Sequence, residues 1–195
     1  MNLDLLLILV VFFLLFLFLT HSKRKHPGYK KAAIVAFSFG LRGKCSPGES
    51  NYKLAETVDR TKKEWCEMNP HMIAQYEIAI ITADDANFVV QKHRKAGKYL
   101  DSEEIAAQAI EYMESIAGKK EWLVLVVAHP FLHRFKCMRL FPGFQVKAIK
   151  TGWVPFDKKS IQPWTRGPIR FILYALRQIL FGYKGAPTEE LLKNN

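Results

Sequence analysis

Cysteine is scarce in this chain of 195 residues, and so are the motifs that usually accompany it. Its three cysteines, Cys45, Cys66 and Cys137, are odd in number, lie far apart and form no Cys-x-x-Cys pair. This distribution argues against a disulfide framework and against a zinc knuckle, so we expect reduced thiols. The sequence also lacks an Asn-x-Ser/Thr sequon, which is weak support for a cytoplasmic domain.

Acidic residues are few as well, 18 against 29 lysines and arginines, which gives a formal net charge of +11. Residues 1–31 carry +4 of that charge and the remainder of the chain carries +7, so the folded part is itself basic. We expect attraction to anionic lipid headgroups, at about 1 kcal/mol for each juxtamembrane Lys or Arg. No recognised nucleic-acid-binding motif accompanies the charge, so we expect no nucleic-acid partner.

What the sequence does contain is an unbroken run of Leu, Ile, Val and Phe over residues 5–19. We interpret residues 1–22 as a transmembrane anchor and residues 23–31 as a basic juxtamembrane linker. The positive charge on the C-terminal side of the run predicts that the following domain is cytoplasmic. The competing interpretation is a cleaved signal peptide, although the run has neither a basic start nor a clear small-x-small cleavage site.

Residues 32–184 read as one α/β domain, followed by a polar tail over residues 185–195. The apolar strands are continuous and alternate with helices, which predicts a Rossmann-like three-layer fold with a mainly parallel sheet of about four strands. We expect strands at 32–39, 77–82, 122–128 and 144–149, a short helix after Asp84 and Asp85, and helices at 50–68, 101–116, 131–140 and 168–181.

Polar residues follow the predicted strands at the edge where such sheets bind ligands. The loops there begin at Gly40, Ala83 and His129. We therefore expect a small anionic or nucleotide-like ligand in a crevice whose candidate residues are Ser38, Gly40, Arg42, Asp84, His129 and His133.

Each candidate also has a plainer interpretation. The glycine-rich loop with Arg42 either binds an anion at a helix start or is a simple connection. The residues around Ser38 resemble the nucleophile elbow of a hydrolase, with Asp84 and His129 as the other members of a triad. A nucleophile elbow leads straight into a helix, whereas a long loop follows Ser38, so we favour a Ser38 hydroxyl that hydrogen-bonds to backbone. His129 and His133 have metal-ligand spacing without a third ligand, so we expect no metal site. Asp84 and Asp85 suit Mg²⁺, a ribose hydroxyl or an ordinary turn.

Several short motifs resemble one known family. They are residues 34–40, the Ser50-Asn51 helix start, the helix start at 101–104, and residues 126–130 with His133. Together they resemble the YdcF/SanA/ElyC-like domain over roughly residues 32–184. The resemblance implies that His133 takes the position of the family's histidine and Lys136 that of its arginine. Arg134 is the alternative basic residue. A lysine in place of the arginine cannot bind an anion through two parallel hydrogen bonds.

The resemblance implies a membrane-anchored domain that acts in membrane or envelope biogenesis and binds a nucleotide-like ligand such as S-adenosylmethionine. It implies no particular reaction, so we leave open whether the protein is an enzyme. The alternative is a non-catalytic anchored scaffold that holds membrane protein partners. The helix at 168–181 either packs on the sheet or lies in the headgroup layer.

Overall fold

The computed structural model describes residues 29–42, 46–83, 85–96 and 100–181, with side chains as far as Arg177. Its strands are β1 (Lys31–Ala36), β2 (His71–Gln75), β3 (Phe88–Val90), β4 (Trp122–Val127) and β5 (Gln145–Ala148). Its α-helices are α1 (Glu49–Glu64), α2 (Tyr76–Ala79), α3 (Ser102–Glu114), α4 (Leu132–Arg139) and α5 (Pro168–Phe181). Short 3₁₀ turns lie at Cys66–Met68, Lys119–Glu121 and Pro163–Thr165.

The described strands form one sheet of five, in the order β3-β2-β1-β4-β5, and every pairing is parallel. The predicted α/β class and parallel sheet are confirmed, and the topology agrees with a Rossmann-like fold. The chain leaves β1 in one direction for β2 and β3 and later returns to the other side of β1 for β4 and β5. That reversal opens a crevice between the carboxyl ends of β1 and β4.

The core lies on both faces of the sheet. Successive residues of a strand point to opposite faces, and in β1 Ile34 belongs to one buried cluster while Val35 belongs to the other. The first cluster includes residues of α1, α2 and α5, and the second includes residues of α3 and α4. Helices on both faces explain why β4 is apolar and buried along its whole length.

The predicted second strand over residues 77–82 is wrong. Those residues form most of α2 and the turn after it, and the strand is His71–Gln75. The segment from Met72 to Ile81 is largely apolar, so periodicity could not separate a five-residue strand from the helix that follows it directly. The second strand therefore ends at Gln75 and passes directly into α2, so the loop predicted to begin at Ala83 does not follow a strand end.

The predicted short helix after Asp85 is also wrong, because the three-residue strand β3 lies there and raises the strand count from about four to five. A strand this short, at the edge of the sheet, has too few residues to show an alternating pattern. Asp84 does not follow a strand as predicted, and it lies outside the described residues.

The remaining helices agree with the sequence to within a few residues, and α5 has the predicted bounds. The predicted anchor, residues 1–22, and the polar tail lie outside the described residues. Within the described part of the chain, no helix combines the length and the hydropathy needed to cross a bilayer.

Candidate functional site

A cavity of about 450 Å³ lies at the carboxyl edge of the sheet. Its walls come from the ends of β1 and β2, the start of α3, and helices α4 and α5. The polar and charged lining residues are Ser38, Gln75, Asp101, Ser102, Glu103, His133, Lys136, Arg139, Gln162 and Thr165. The position agrees with the general rule that ligands of parallel sheets bind where the strand order reverses.

Ser38 lines this cavity as predicted, but its environment differs from the one expected. Its backbone N–H donates to Oε1 of Gln75 at 3.0 Å. The side chains of both Ser38 and Gln75 hydrogen-bond to the carboxyl group of Glu77, which is only 6% exposed. The Ser38 hydroxyl therefore lies beside a buried carboxyl group that the sequence did not suggest.

Glu77 was missed by sequence reasoning because it lay inside the wrongly predicted strand. Burial raises the pKa of its carboxyl group, and hydrogen bonds to backbone, Ser38 and Gln75 offset part of that rise. Its Oε2 atom is buried without a hydrogen-bond partner among the described residues. Glu77 thus fixes the orientation of two cavity-lining side chains from behind the cavity wall.

His133 lies in the cavity wall, as the sequence predicted. Its Nε2 atom is 3.3 Å from the Ser102 hydroxyl, and its Nδ1 atom is buried without a partner in the described part of the chain. Desolvation, with smaller contributions from His129 and Lys136, lowers the pKa of His133 to about 3. The imidazole is therefore neutral at pH 7.

His129 is near His133 but packs behind the cavity wall. Its ring stacks on Phe39 with a centroid separation of 3.8 Å, and Nδ1 lies 3.2 Å from the carbonyl oxygen of Pro130. Burial lowers the pKa of His129 to about 4. It is not among the described residues that line the cavity, so the structure places it as support for Phe39, which does line it. Among the described residues, no group of three His, Cys, Asp or Glu side chains is placed to hold a metal ion.

The cationic side of the cavity is formed by α4. The ammonium group of Lys136 is 2.9 Å from Oε1 of Glu103, so part of its charge is balanced within the protein. The guanidinium of Arg139 lies 5.6 Å from the ring centre of Phe135, a geometry that allows a cation–π contact. Sequence reasoning found Lys136 through the family resemblance and missed Arg139, which lies three residues further along the same helix.

The side of the cavity next to α5 is lined by aromatic rings. Trp164 and Tyr174 stack nearly parallel, with ring centroids 4.6 Å apart and planes 9° apart, and both line the cavity. No local pattern indicates that these two rings, ten positions apart, form part of the site.

Gly40 lines the cavity with φ of +88°, a conformation that favours glycine. A Cβ at this position would also approach the Thr165 and Ser160 side chains to 3.3 and 3.4 Å. The glycine therefore allows the residues after β1 to pack closely against the segment that contains Ser160 and Thr165.

Arg42 is near the cavity edge, but its guanidinium serves another purpose. It makes two hydrogen bonds of 2.9 Å to the carboxylate of Asp157, which is 1% exposed. The bond to Asp157 also raises the pKa of Arg42. The same carboxylate packs on Gly48, where a Cβ would come within 2.0 Å of Oδ2. Arg42 is thus the partner of a buried carboxylate and is not among the described lining residues.

The structure therefore brings Ser38, Gly40, His133 and Lys136 together around one cavity and places Arg42 and His129 just outside it. Comparisons of this chain with protein-family models, with curated proteins and with solved structures found no significant match.

Proposed function

We propose that this protein binds a small anionic, nucleotide-like molecule in the cavity at the carboxyl edge of its sheet. The observation that carries the proposal is the cavity itself. Its volume, about 450 Å³, lies in the usual range for small-molecule sites, and its walls combine aromatic rings, hydroxyl groups and cations.

The aromatic wall suits a planar base. The Trp164–Tyr174 pair and Phe135 offer aromatic surface, and stacking of a base on an aromatic ring contributes about 1–3 kcal/mol. The hydroxyls of Ser38 and Ser102 and the amide of Gln75 can hydrogen-bond sugar hydroxyls.

The charged end suits an anion. Arg139 and Lys136 supply positive charge, and the net charge of +11 would raise the local concentration of anionic ligands. Because such attraction is screened by salt, the affinity should fall as ionic strength rises. A polar ligand atom that reaches Nδ1 of His133 would supply the hydrogen bond that this buried nitrogen lacks in the described part of the chain.

In the cell, we propose that residues 1–22 anchor the protein in a membrane with its C-terminal domain in the cytoplasm. There it acts in membrane or envelope biogenesis. The apolar run, the basic residues after it and the resemblance to the YdcF/SanA/ElyC-like domain support this part of the proposal. S-adenosylmethionine and phosphorylated lipid precursors are the ligands to test first.

The test is isothermal titration calorimetry on the full chain in detergent with S-adenosylmethionine, nucleotides and phosphorylated lipid precursors in separate arms. Arg139→Gln should weaken binding of an anionic ligand by roughly tenfold, the size of one charge-assisted hydrogen bond. Lys63→Gln, on the exposed side of α1, removes the same charge away from the cavity and should leave affinity unchanged. If no arm shows binding, the proposal fails.

The second candidate function is a non-catalytic anchored scaffold. It is favoured by the internal pairing of two candidate cations, Arg42 with Asp157 and Lys136 with Glu103, because paired charges are less available to a ligand. Cells that depend on the protein distinguish the two functions. If Ser38→Ala and Arg139→Gln variants both support growth as the natural chain does, the scaffold should replace ligand binding.

A further inference from the structure

Helix α5 is apolar on two opposite sides, and only one side is covered by the described protein. On the inner side Phe171 is 8% exposed and its ring lies 5.3 Å from that of Phe39. On the outer side Ile169, Ile172 and Leu173 are 74%, 49% and 62% exposed. Their spacing of three and four residues is the spacing of an apolar stripe that faces a partner. We name these three side chains the α5 outer face.

Two further large apolar side chains are exposed at the same edge of the sheet. Trp153, in the segment after β5, is 74% exposed, and Phe131, just after β4, is 67% exposed. Phe131 also has φ of +66°, which is rare for a bulky residue. The segments that carry them meet α5 through Phe156 and His129, whose rings lie 6.1 and 5.8 Å from the ring of Phe171.

The segment that carries this surface is strongly basic. Residues 147–181 contain seven lysines and arginines and a single acidic residue, Asp157. That carboxylate is 1% exposed and paired with Arg42. On α5 itself Arg170 and Arg177 are exposed beside the α5 outer face.

We propose that the α5 outer face and Trp153 dock in the headgroup layer of an anionic bilayer. Exposed apolar residues framed by arginine, with a tryptophan near them, are typical of helices that lie in the membrane interface. A second copy of the chain fits this surface less well, because a two-fold contact would oppose arginine to arginine without a carboxylate between them. The proposal does not depend on the ligand in the cavity.

The docking has a consequence for the cavity. Tyr174 and Ala175 line the cavity from the inner side of α5, while the outer face meets the lipid. Since a helix with its side chains is about 10 Å across, the ligand would bind within roughly that distance of the bilayer surface.

The experiment measures tryptophan fluorescence of the full chain reconstituted in vesicles whose lipids carry bromine near the headgroup end of the acyl chains. Subtracting the signal of Trp153→Phe isolates Trp153, so an N-terminal anchor alone cannot produce the result. We expect quenching of Trp153 in phosphatidylglycerol-containing vesicles, and weaker quenching in pure phosphatidylcholine or at 1 M salt, where screening extends to about 3 Å.

The joint substitution Ile172→Glu and Leu173→Glu should abolish the quenching. Ile116→Glu is the control, because it adds a charge at an exposed apolar residue in the turn after the C-terminal end of α3 and should change nothing. A second pair, Arg170→Gln with Arg177→Gln, keeps the apolar surface and should reduce the quenching at physiological salt. Circular dichroism checks that each variant is folded.

Three results would overturn the proposal. They are an unquenched Trp153 in anionic vesicles, equal quenching in neutral vesicles, and equal loss of quenching in the Ile116→Glu control. A chain that is dimeric in detergent, and monomeric after Ile172→Glu and Leu173→Glu, would show instead that the surface binds a second copy.

Discussion

The interior of the sheet and its carboxyl edge are both buried, yet different interactions hold them. In the interior, β1 and β4 contribute residues such as Ile34, Val35 and Leu125, all at 0% exposure and all apolar. Their stability comes from removing apolar surface from water, which contributes roughly 25 cal/mol per Å². Any apolar side chain of suitable volume could serve there.

At the carboxyl edge several of the buried side chains are polar, and specific partners hold them. Asp157 pairs with Arg42, and the hydroxyl of Ser160 donates to the carbonyl of Leu41 and accepts from the hydroxyl of Thr165. The Asp157–Arg42 and Ser160–Leu41 contacts join segments that lie more than a hundred residues apart in sequence. The carboxyl edge therefore depends on particular pairs of residues, whereas the interior depends mainly on side-chain volume. The cavity lies at this edge.

The largest effect is expected in the interior. Trp122 is fully buried, and its indole N–H donates to the carbonyl of Met113 at 3.1 Å. Trp122→Ala should lower the free energy of unfolding by about 3–5 kcal/mol, since a cavity is left in the core. Urea denaturation measures the loss. Trp153→Ala, at a 74% exposed position, is the control and should stay within about 0.5 kcal/mol.

The ion pair at the edge should come next. Asp157→Ala removes the carboxylate that accepts two hydrogen bonds from Arg42 and leaves the guanidinium only the exposed carboxylate of Glu49, 3.7 Å away. It should lower the free energy of unfolding by about 3 kcal/mol, because the guanidinium is partly buried. A double-mutant cycle with Arg42→Ala measures the coupling between the two side chains.

The matched comparison for that cycle is the exposed pair Lys53–Glu56, whose ionic groups are 2.7 Å apart. Its coupling should be at most about 0.5 kcal/mol, because water and salt screen exposed charges. Equal coupling energies in the two cycles would show that burial does not strengthen the ion pair at the carboxyl edge.

The edge should also respond to pH, because His129 and His133 have pKa values lowered to about 4 and about 3 from 6.5. As pH falls below 6.5 the unfolded chain binds protons that these buried imidazoles do not, so stability decreases towards pH 4. The slope is about 1.4 kcal/mol per pH unit for each histidine. Glu77, whose pKa is raised, works in the opposite direction and offsets part of the loss.

Urea midpoints at pH 7, 6 and 5 test this slope. His129→Phe keeps an aromatic ring against Phe39 while removing one titrating group, so it should reduce the slope by about 1.4 kcal/mol per pH unit. An unchanged slope would contradict the assignment of the pH dependence to this histidine.

The same contrast explains which features could be predicted from the sequence. The strands β1 and β4 and the helices α1, α3 and α5 were predicted correctly because their apolar patterns and end signals are local. The prediction failed at β2, where strand and helix share one apolar segment, and at β3, where three residues carry no pattern.

In the site, the positions of residues next to well-predicted strand ends could be anticipated from the sequence, whereas pairings between distant residues could not. Ser38 and His133 line the cavity as expected. For Arg42 the sequence left open anion binding or a simple loop. Its partner Asp157 lies 115 residues away, and no local signal connects the two. Glu77 was hidden by the error in β2.

The smallest effect is expected at Asp101, where a local signal and the cavity coincide. Its side chain caps α3 by accepting from the N–H of Glu104 at 2.9 Å, and it also lines the cavity. Asp101→Ala should lower the free energy of unfolding by about 1 kcal/mol, whereas Asp101→Asn keeps the cap and should lose much less. Both variants remove a negative charge from the cavity wall, so both should bind an anionic ligand at least as well as the natural chain. Denaturation and calorimetry on the same samples separate the two roles. A loss of stability in Asp101→Asn equal to that in Asp101→Ala would show that the charge, and not the cap, stabilises α3.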